Sequence, residues 1–224
     1  MGQVRTILLE KSVYADNDAR AAILRNDLKQ SGAMLVNVMS SPGAGKTSTL
    51  TNLINSIKDK VRVAVMEADI DSDVDANSIV KNTGVDSIQL HTGGMCHLDA
   101  DMTREGLDAI DYKKYDIIFL ENVGNLVCPA EYDTGANMDI MILSTSEGDD
   151  KPLKYPLIFQ KCNLVIISKI DAIKYFAFDV QKCEDNVHFR NKDAKIIKIS
   201  NKTKEGIDDL ANFFLAKIKQ FKEV

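Results

Sequence analysis

The sequence has 224 residues, of which 45% are hydrophobic and 27% charged, and its formal net charge is −5. The apolar content excludes disorder as the main state, and the mild acidic excess argues against general binding to DNA or to anionic membranes. The apolar runs are far shorter than a membrane span. From the charge and these short runs together, we expect neither a nucleic-acid nor a membrane partner. Four cysteines are too few for a disulfide scaffold, and the N-terminal MGQVRTILLEKS shows no signal-peptide pattern, so we expect a cytoplasmic protein.

The predicted elements alternate along the chain. Residues 15–31 carry Ala and Leu at helical spacing and predict an amphipathic helix that Gly32 ends. Seven short apolar runs then predict strands at residues 34–39, 61–66, 87–90, 115–120, 138–143, 164–168 and 195–199. Helical patterns separate most of these runs or follow the last, at residues 47–58, 75–82, 99–110, 180–188 and 207–219.

Continuous apolar strands that alternate with helices are typical of a parallel sheet covered on both faces. We therefore predict an α/β fold, a doubly wound and mostly parallel seven-stranded sheet with helices on both faces. No Gly-, Pro- or Ser-rich linker divides the chain. Residues 33–224 are expected to form a single domain, with residues 1–32 as an N-terminal helical appendage.

The segment SSPGAGKT at residues 40–47 lies between the first of these strands and a helix, and has the pattern of a phosphate-binding loop. Ser40 stands where the first Gly is usual. The two glycines let backbone N–H groups converge on phosphate oxygens, Lys46 would reach the terminal phosphates, and the Thr47 hydroxyl would ligate magnesium. The predicted phosphate-binding residues of this P-loop NTPase are Gly43, Ala44, Gly45, Lys46, Thr47 and Ser48.

Acidic residues follow two of the predicted strands. Glu121 is placed to hold a magnesium-bound water, and Gly124 is placed to give its backbone N–H to a γ-phosphate. Asp69 ends the run VAVMEAD, and a strand end favours a role near the metal or the attacking water. The other members of this acidic loop are Glu67, Asp71, Asp73 and Asp75, and for Asp71 and Asp73 we expect only a solvated surface. The predicted catalytic set is Lys46, Thr47, Asp69, Glu121 and Gly124, with magnesium held by Thr47, Asp69 and Glu121.

Ser168-Lys169-Ile170-Asp171 ends the sixth predicted strand and has the shape of the guanine motif Asn-Lys-x-Asp. A carboxylate at Asp171 would accept from the ring N–H and the amino group of guanine together, a pair of donors that adenine does not offer. Ser in the first position weakens the match. We predict base contacts from Lys169 and Asp171, and a second base-contacting loop in SNKT at residues 200–203.

Two cysteines have neighbours that suggest chemistry. Cys96 is adjacent to His97 beside a Gly-Gly turn, and Cys128 lies seven residues beyond Glu121. From the residues alone, metal binding and ordinary packing are equally supported for the Cys-His pair, because neighbouring side chains point apart in regular structure. We expect Cys162 and Cys183 to be structural.

Four segments together resemble the hydrogenase nickel-incorporation GTPase family, HypB, of the SIMIBI class of P-loop GTPases. They are SSPGAGKT at 40–47, HTGGMCHLDADM at 91–102, ENVGNLVCP at 121–129 and SEGDDKPLKYP at 146–156. The resemblance implies a GTPase that uses Mg²⁺ to convert GTP and water to GDP and phosphate. It also implies a GTP-dependent homodimer whose interface holds nickel or zinc on Cys96, His97 and Cys128. The implied partners are nickel-hydrogenase maturation proteins and the hydrogenase large subunit.

The functional prediction is a GTP-hydrolysing metallochaperone that helps to insert nickel into NiFe hydrogenase from a nucleotide-gated site. Intrinsic hydrolysis should be slow, because no residue serves convincingly as a general base or an arginine finger. Ser78 stands where the family often has Arg, and the N-terminal Cys-rich or His-rich segments of many members are missing. The alternatives are a urease accessory GTPase, a passive metal-binding chaperone and an ATPase of the related partitioning class.

Overall fold

A computed structural model describes residues 4–8, 17–69 and 74–223, and its strands form one sheet in which all neighbours are parallel. The strands are β1 (Val4–Leu8), β2 (Met34–Ser40), β3 (Val63–Asp69), β4 (Asp86–His91), β5 (Ile117–Glu121), β6 (Met138–Ser144), β7 (Leu164–Ser168) and β8 (Lys195–Lys198). The order β1-β4-β3-β5-β2-β6-β7-β8 places β2 in the interior between β5 and β6.

Helices connect the strands, as parallel pairing requires. They are α1 (Asn17–Ser31), α2 (Lys46–Ile57), α3 (Val74–Thr83), α4 (Ala100–Ile110), α5 (Cys128–Glu131), α6 (Lys151–Lys154), α7 (Pro156–Lys161), α8 (Val180–Arg190) and α9 (Ile207–Lys222). Short 3₁₀ turns lie at Tyr112–Lys114, Thr145–Glu147 and Ile170–Tyr175. Among the described helices, none has both the length and the apolar character needed to cross a bilayer.

The hydrophobic core lies on both faces of the sheet because successive strand residues point to opposite sides. In β2, Val36 and Val38 face a cluster that includes Leu53 and Ile57 of α2 and Phe214 of α9. The other face is covered by two further clusters, one under α1 and α4 and one under α7 and α8. The predicted doubly wound α/β fold with helices on both faces is confirmed.

The sheet has eight strands where seven were predicted. All seven predicted strands are present, and β1 adds an eighth at the edge by pairing with β4. Its sequence, VRTIL, is too short and too mixed to be distinguished from a loop by periodicity. The pairing with β4 is what defines it as a strand, and that partner is distant in sequence.

The N-terminal helix α1 packs against the core. Ala21, Leu24 and Leu28 are buried, and the two leucines join the cluster that covers β5 and α4. On its polar side, Arg25 donates from Nη2 to Asp133 Oδ1 at 2.6 Å and from Nε to the Ala136 carbonyl at 2.8 Å. Helix α1 therefore packs against residues 33–224, and β1 pairs with β4, while the division into a helical appendage of residues 1–32 and a single domain of residues 33–224 stays a prediction.

Candidate functional site

The phosphate loop connects β2 to α2 at the carboxyl edge of the sheet. Gly43 and Gly45 adopt left-handed backbone angles, with φ of 75° and 101°, which a side chain would disfavour. Gly45 caps α2, so the first turn of that helix directs its N–H groups at the loop. Ser40, the departure from the usual motif, is fully buried, and its hydroxyl accepts a hydrogen bond from Lys46 Nζ at 3.3 Å.

The carboxyl end of β5 brings Glu121 to the phosphate loop. Thr47 Oγ1 donates to Glu121 Oε1 at 2.9 Å, and Lys46 Nζ lies 4.0 Å from the same oxygen. Glu121 is only 3% exposed. The second carboxylate oxygen, Oε2, is buried and makes no hydrogen bond within the described part of the chain. The predicted pair of Thr47 and Glu121 is thus in contact.

Glu67 is a buried acid that the sequence prediction did not include in the site. It is 2% exposed and stands directly across from Glu121 in the β3–β5 register. Burial, then the neighbouring Glu121 carboxylate, raises the pKa of Glu67 well above its usual range. Burial also raises the pKa of Glu121, against the opposing effect of Lys46. Raised pKa values favour the protonated forms, so this buried pair beside the phosphate loop resists carrying two negative charges.

A small cavity of about 40 Å³ opens beside this pair. It is lined by Lys46, Glu67, Ala68, Asp69, Asp75, Gln89, Glu121, Asn122 and Gly124. A Cβ on Gly124 would lie 3.2 Å from Pro42 of the phosphate loop, so a larger residue would require Pro42 to shift by a few tenths of an ångström. Asp69, the last residue of β3, also reaches the cavity, whereas Asp71 and Asp73 lie outside the described residues.

The predicted base-recognition segment lies on the other side of the phosphate loop. Ser168 Oγ donates to the Ala44 carbonyl and Lys169 Nζ to the Gly43 carbonyl, both at 2.7 Å. Asp171 Oδ1 accepts from Ser200 Oγ at 2.6 Å. Ser168 thus ties β7 to the phosphate loop, and the two predicted base loops are in contact with each other.

An open groove of about 810 Å³ runs from the phosphate loop to these two segments. Its size suits a nucleotide. The groove is lined by Gly43, Gly45, Lys46, Thr47, Ser48, Thr51, Asn52, Asp75, Ser78, Asn82, Glu121, Lys169, Asn201, Lys202 and Lys204. Ala44 belongs to the phosphate loop, but it is buried and does not line the groove.

Among the Cys and His candidates, Cys96 and His97 lie on an irregular segment after β4, and Cys128 begins the short helix α5. Cys96 and Cys128 are partly buried and free, and the Cys128 Sγ also accepts from Asn125 Nδ2 at 3.6 Å. Cys96 Sγ lies 3.9 Å from His97 Nδ1. The His97 ring stacks on Tyr132, with centroids 3.6 Å apart and planes within 9°. The turn after Gly93 and Gly94 therefore lets the adjacent Cys96 and His97 approach one another.

The two thiols interact, yet the ligand set is not assembled. A hydrogen bond that the Cys128 thiol donates to Cys96 is the main cause of the raised pKa of Cys128, followed by burial. Burial lowers the pKa of His97 and so favours its neutral, ligating form, although Asp99 and Glu131 act in the opposite direction. Within the described ranges, no three His, Cys, Asp or Glu side chains are arranged so that they could hold a metal ion.

Comparison with known proteins places this geometry in a family. Residues 34–198, more than half of the chain, match the family model described as CobW/HypB/UreG, nucleotide-binding domain. The chain belongs to this family. A "Hydrogenase/urease maturation factor HypB" of Helicobacter hepaticus is 39% identical over 96% of this chain and 90% of its own length. A "Hydrogenase maturation factor HypB" of Rhizobium leguminosarum bv. viciae is 39% identical over 93% of this chain and 69% of its own length.

A solved structure gives the same assignment. The crystal structure of HypB from Helicobacter pylori in complex with nickel superposes with a TM-score of 0.86 at 39% identity, covering 92% of this chain and 96% of that chain. The resemblance to HypB inferred from the four segments is confirmed. As a member of the CobW/HypB/UreG family, the chain has a nucleotide-binding domain, and that domain contains the phosphate loop, both acidic strand ends and the predicted base-recognition segment.

Proposed function

We propose that this chain is a GTP-hydrolysing metallochaperone that helps to insert nickel into NiFe hydrogenase. The observation that carries the proposal is the short connection from Glu121, which accepts from Thr47 of the phosphate loop, to Cys128, which interacts with Cys96. Glu121 at the phosphate loop and Cys128 of the thiol pair are only seven positions apart in the chain. The HypB relatives and the nickel complex of the Helicobacter pylori protein support the same function.

The proposed nucleotide chemistry is phosphoryl transfer to water. Lys46, Thr47 and the N–H groups of the phosphate loop bind the phosphates, and Gly124 is close enough to the loop to donate to a γ-phosphate. Asp69 borders the same cavity and is proposed to lie near the attacking water. Among the described residues that line the groove and the cavity there is no Arg or His, which supports slow intrinsic hydrolysis.

The donors beside the phosphate loop fit Mg²⁺. Magnesium prefers hydroxyl and carboxylate oxygens, and the buried Glu121 Oε2 makes no hydrogen bond within the described residues. Thr47 would hold the ion directly, and Glu121 and Asp69 would hold its water ligands. When bound, Mg²⁺ would neutralise charge on the β- and γ-phosphates.

We propose guanine as the base. Lys169 lines the groove and donates to the Gly43 carbonyl of the phosphate loop, and Asp171 is held by Ser200, which precedes the groove residue Asn201. The Ser168 variation is compatible with this role, because its hydroxyl contacts the loop backbone at Ala44. That contact occupies the hydroxyl at the position where the motif usually has Asn.

The proposed cargo site uses Cys96, His97 and Cys128 for nickel or zinc. Thiolates and a neutral imidazole suit both ions. One chain offers these three donors without a finished arrangement in its described part, which supports a site completed in a homodimer by a second copy. The γ-phosphate would hold the turn at Gly124, and thereby the position of Cys128, so that hydrolysis releases the ion to the hydrogenase large subunit and its maturation proteins.

Nickel and GTP should then be coupled, each altering the affinity for the other by the same factor. The test measures nickel affinity and molecular size with GDP and with a non-hydrolysable GTP analogue, using Cys96→Ala as the control. The proposal expects a nickel-stabilised dimer with the GTP analogue but not with GDP. Cys96→Ala should not form this dimer in either nucleotide state. Equal nickel affinity in both nucleotide states would contradict the gating and favour a passive chaperone.

A second candidate is maturation of urease. The name of the Helicobacter hepaticus relative, hydrogenase/urease maturation factor, supports it. Activation of purified apo-hydrogenase and apo-urease by the same nickel-loaded protein distinguishes the two. For either target we propose a cytoplasmic location, which the four free cysteines support.

A further inference from the structure

A row of three polar side chains crosses the interior of the sheet behind the nucleotide site. Asn122 follows the last residue of β5, Asn37 lies in the middle of β2, and Asp139 is the second residue of β6. Asn122 and Asn37 are 1% and 2% exposed. The three side chains belong to the neighbouring strands β5, β2 and β6 or the residue just after them. The row runs from the carboxyl end of β5, beside the phosphate loop, to the start of β6.

The hydrogen bonds of this row have one direction. Asn122 Oδ1 accepts from the Val123 backbone N–H at 2.8 Å, so its amide nitrogen must face inward. That nitrogen donates to Asn37 Oδ1 at 3.0 Å, and Asn37 Nδ2 in turn donates to Asp139 Oδ1 at 2.8 Å. Each link fixes the orientation of the next amide, and the row ends on a carboxylate oxygen, which accepts.

Stability alone does not account for a polar row at this place. Apolar clusters lie on either side of it, represented by Leu120 on one side and Met39 on the other. Apolar side chains of similar volume often serve a core equally well or better than buried polar groups. Fully paired polar networks instead fix one arrangement, because each broken link leaves a group unpaired in a medium of low dielectric constant.

The Asn122 end of the row lies in the turn that carries the candidate γ-phosphate contact at Gly124. Glu121 accepts from Thr47, the Asn122 backbone N–H continues the ladder to the Val38 carbonyl at 3.0 Å, and the Val123 N–H is held by the Asn122 side chain. The next residue, Gly124, packs against Pro42. Three consecutive residues before Gly124 are therefore anchored, and two of these anchors come from the Asn122 backbone and side chain.

We propose that Asn122, Asn37 and Asp139 form a positioning relay that holds the Glu121–Gly124 turn ready for the γ-phosphate before nucleotide binds. The inference rests on the proposed function and assigns to it three positioning residues, of which Asn37 and Asp139 line neither the groove nor the cavity. A preorganised donor stabilises added charge because the turn does not have to reorganise around it. The relay therefore strengthens binding of the triphosphate selectively, since a diphosphate has no γ-phosphate to meet Gly124.

The test reverses one link of the relay. Asn37→Asp keeps the acceptor for Asn122 but sets a carboxylate against Asp139. Asp139→Asn alone keeps an acceptor oxygen for Asn37 and is the matched control. Adding Asp139→Asn to Asn37→Asp supplies a donor for the new carboxylate and should rescue the relay. The measured quantity is the dissociation constant of GDP divided by that of a non-hydrolysable GTP analogue, both with Mg²⁺.

We expect Asn37→Asp to lower this ratio about tenfold, with GDP affinity changed less than about twofold, and the double variant to restore most of it. Asn122→Ala, which introduces no buried charge, should lower the ratio similarly and serves if Asn37→Asp does not fold. A parallel loss of both affinities, or an unchanged ratio in the folded variants, would show a merely structural role and overturn the proposal.

Failure of the proposed function gives a different result. The same titrations with ADP and an ATP analogue report base preference in the wild type. Binding of adenine nucleotides instead would refute the GTPase assignment, and the relay would then be judged on the adenine ratio. A wild type with no preference for any triphosphate would overturn the relay as well.

Discussion

The two ends of the segment from Glu121 to Cys128 are built differently. At the nucleotide end, Glu121 is 3% exposed and is fixed by Thr47, and the turn after it is anchored to β2. At the other end, Cys128 is partly exposed and has weak contacts, with the neighbouring Cys96 thiol and with the Asn125 amide at 3.6 Å. A site that stabilises a transition state benefits from rigid donors, whereas a site that takes up and releases an ion must remain open.

The largest expected effect comes from a substitution that impairs the nucleotide end and leaves the metal end intact. Lys46→Ala removes the cation that contacts Ser40 and lies near Glu121, and we expect GTP hydrolysis to fall about 1000-fold. Thiol reactivity and zinc binding in the absence of nucleotide should stay as in the wild type. Steady-state phosphate release measures the first and metal titration the second. Lys58→Ala, at the far end of α2, is the control.

The second prediction breaks the metal end alone. Cys128→Ser should weaken nickel binding about 100-fold, because a thiolate ligand is replaced by a poor one, while GDP binding is retained. In the native wild type we expect a thiol reagent to modify Cys96 and Cys128 only, since burial raises the pKa of Cys162 and Cys183 to about 12. Saturating nickel should protect the two reactive thiols. Rapid labelling of all four would contradict this division.

The sequence predicts the nucleotide end better than the metal end, for physical reasons. Gly43, Gly45 and Lys46 form a contiguous motif, and the apolar strands on each side determine where the loop lies. Glu67 was assigned to an acidic loop because its contact with Glu121 depends on the β3–β5 register, which local pattern does not encode. The prediction that Asp69 ends the strand VAVMEAD is confirmed, because β3 runs from Val63 to Asp69.

The metal end depends on tertiary contacts that no local pattern contains. The stacking of His97 on Tyr132 joins segments 35 residues apart in the numbering, and α5 is a single turn that begins at Cys128. The Cys-His pair was therefore open between packing and chemistry until the family resemblance was considered. The roles of Cys96, His97 and Cys128 stay predictions that the nickel titrations test.

The third prediction asks whether the nucleotide end is also specific for its base. Asp171→Asn replaces the carboxylate that is held by Ser200 and should weaken GTP binding about 30-fold. ATP affinity should change little, so the guanine preference disappears. Competition titrations of both nucleotides measure it, with the exposed Asp185→Asn on α8 as control. Unchanged selectivity would favour an ATPase of the partitioning class.

The fourth prediction provides a site remote from both ends. Asp116 is 7% exposed and accepts from Arg62 and from Lys222 of α9, at 2.7 and 2.6 Å. These cations hold its pKa well below the usual range. Asp116→Asn should cost about 1.5 kcal/mol of unfolding free energy at pH 7 without changing base or metal preference.

The sign of the pH dependence follows from the depressed pKa of Asp116. The stabilisation of the folded state by ionised Asp116 is complete above the pKa of an unfolded Asp, about 4. It is lost as the pH falls toward the lower pKa of Asp116 in the folded protein. The difference in unfolding free energy between wild type and Asp116→Asn should therefore shrink below about pH 4. Denaturant titrations at several pH values measure it, and Lys114→Ala, in an exposed pair with Asp111, should stay near the wild type.

The smallest expected effect concerns how loosely the metal end is held. The His97 ring is oriented chiefly by its stack on Tyr132, so Tyr132→Leu should weaken nickel binding about threefold, the value of one aromatic contact. Tyr132→Phe keeps the ring and should bind as the wild type does. An effect as large as that of Cys128→Ser would mean that the imidazole is preorganised as firmly as Glu121 is. The contrast between a rigid phosphate site and an open cargo site would then no longer hold, because both ends of the segment would be fixed before their ligands arrive.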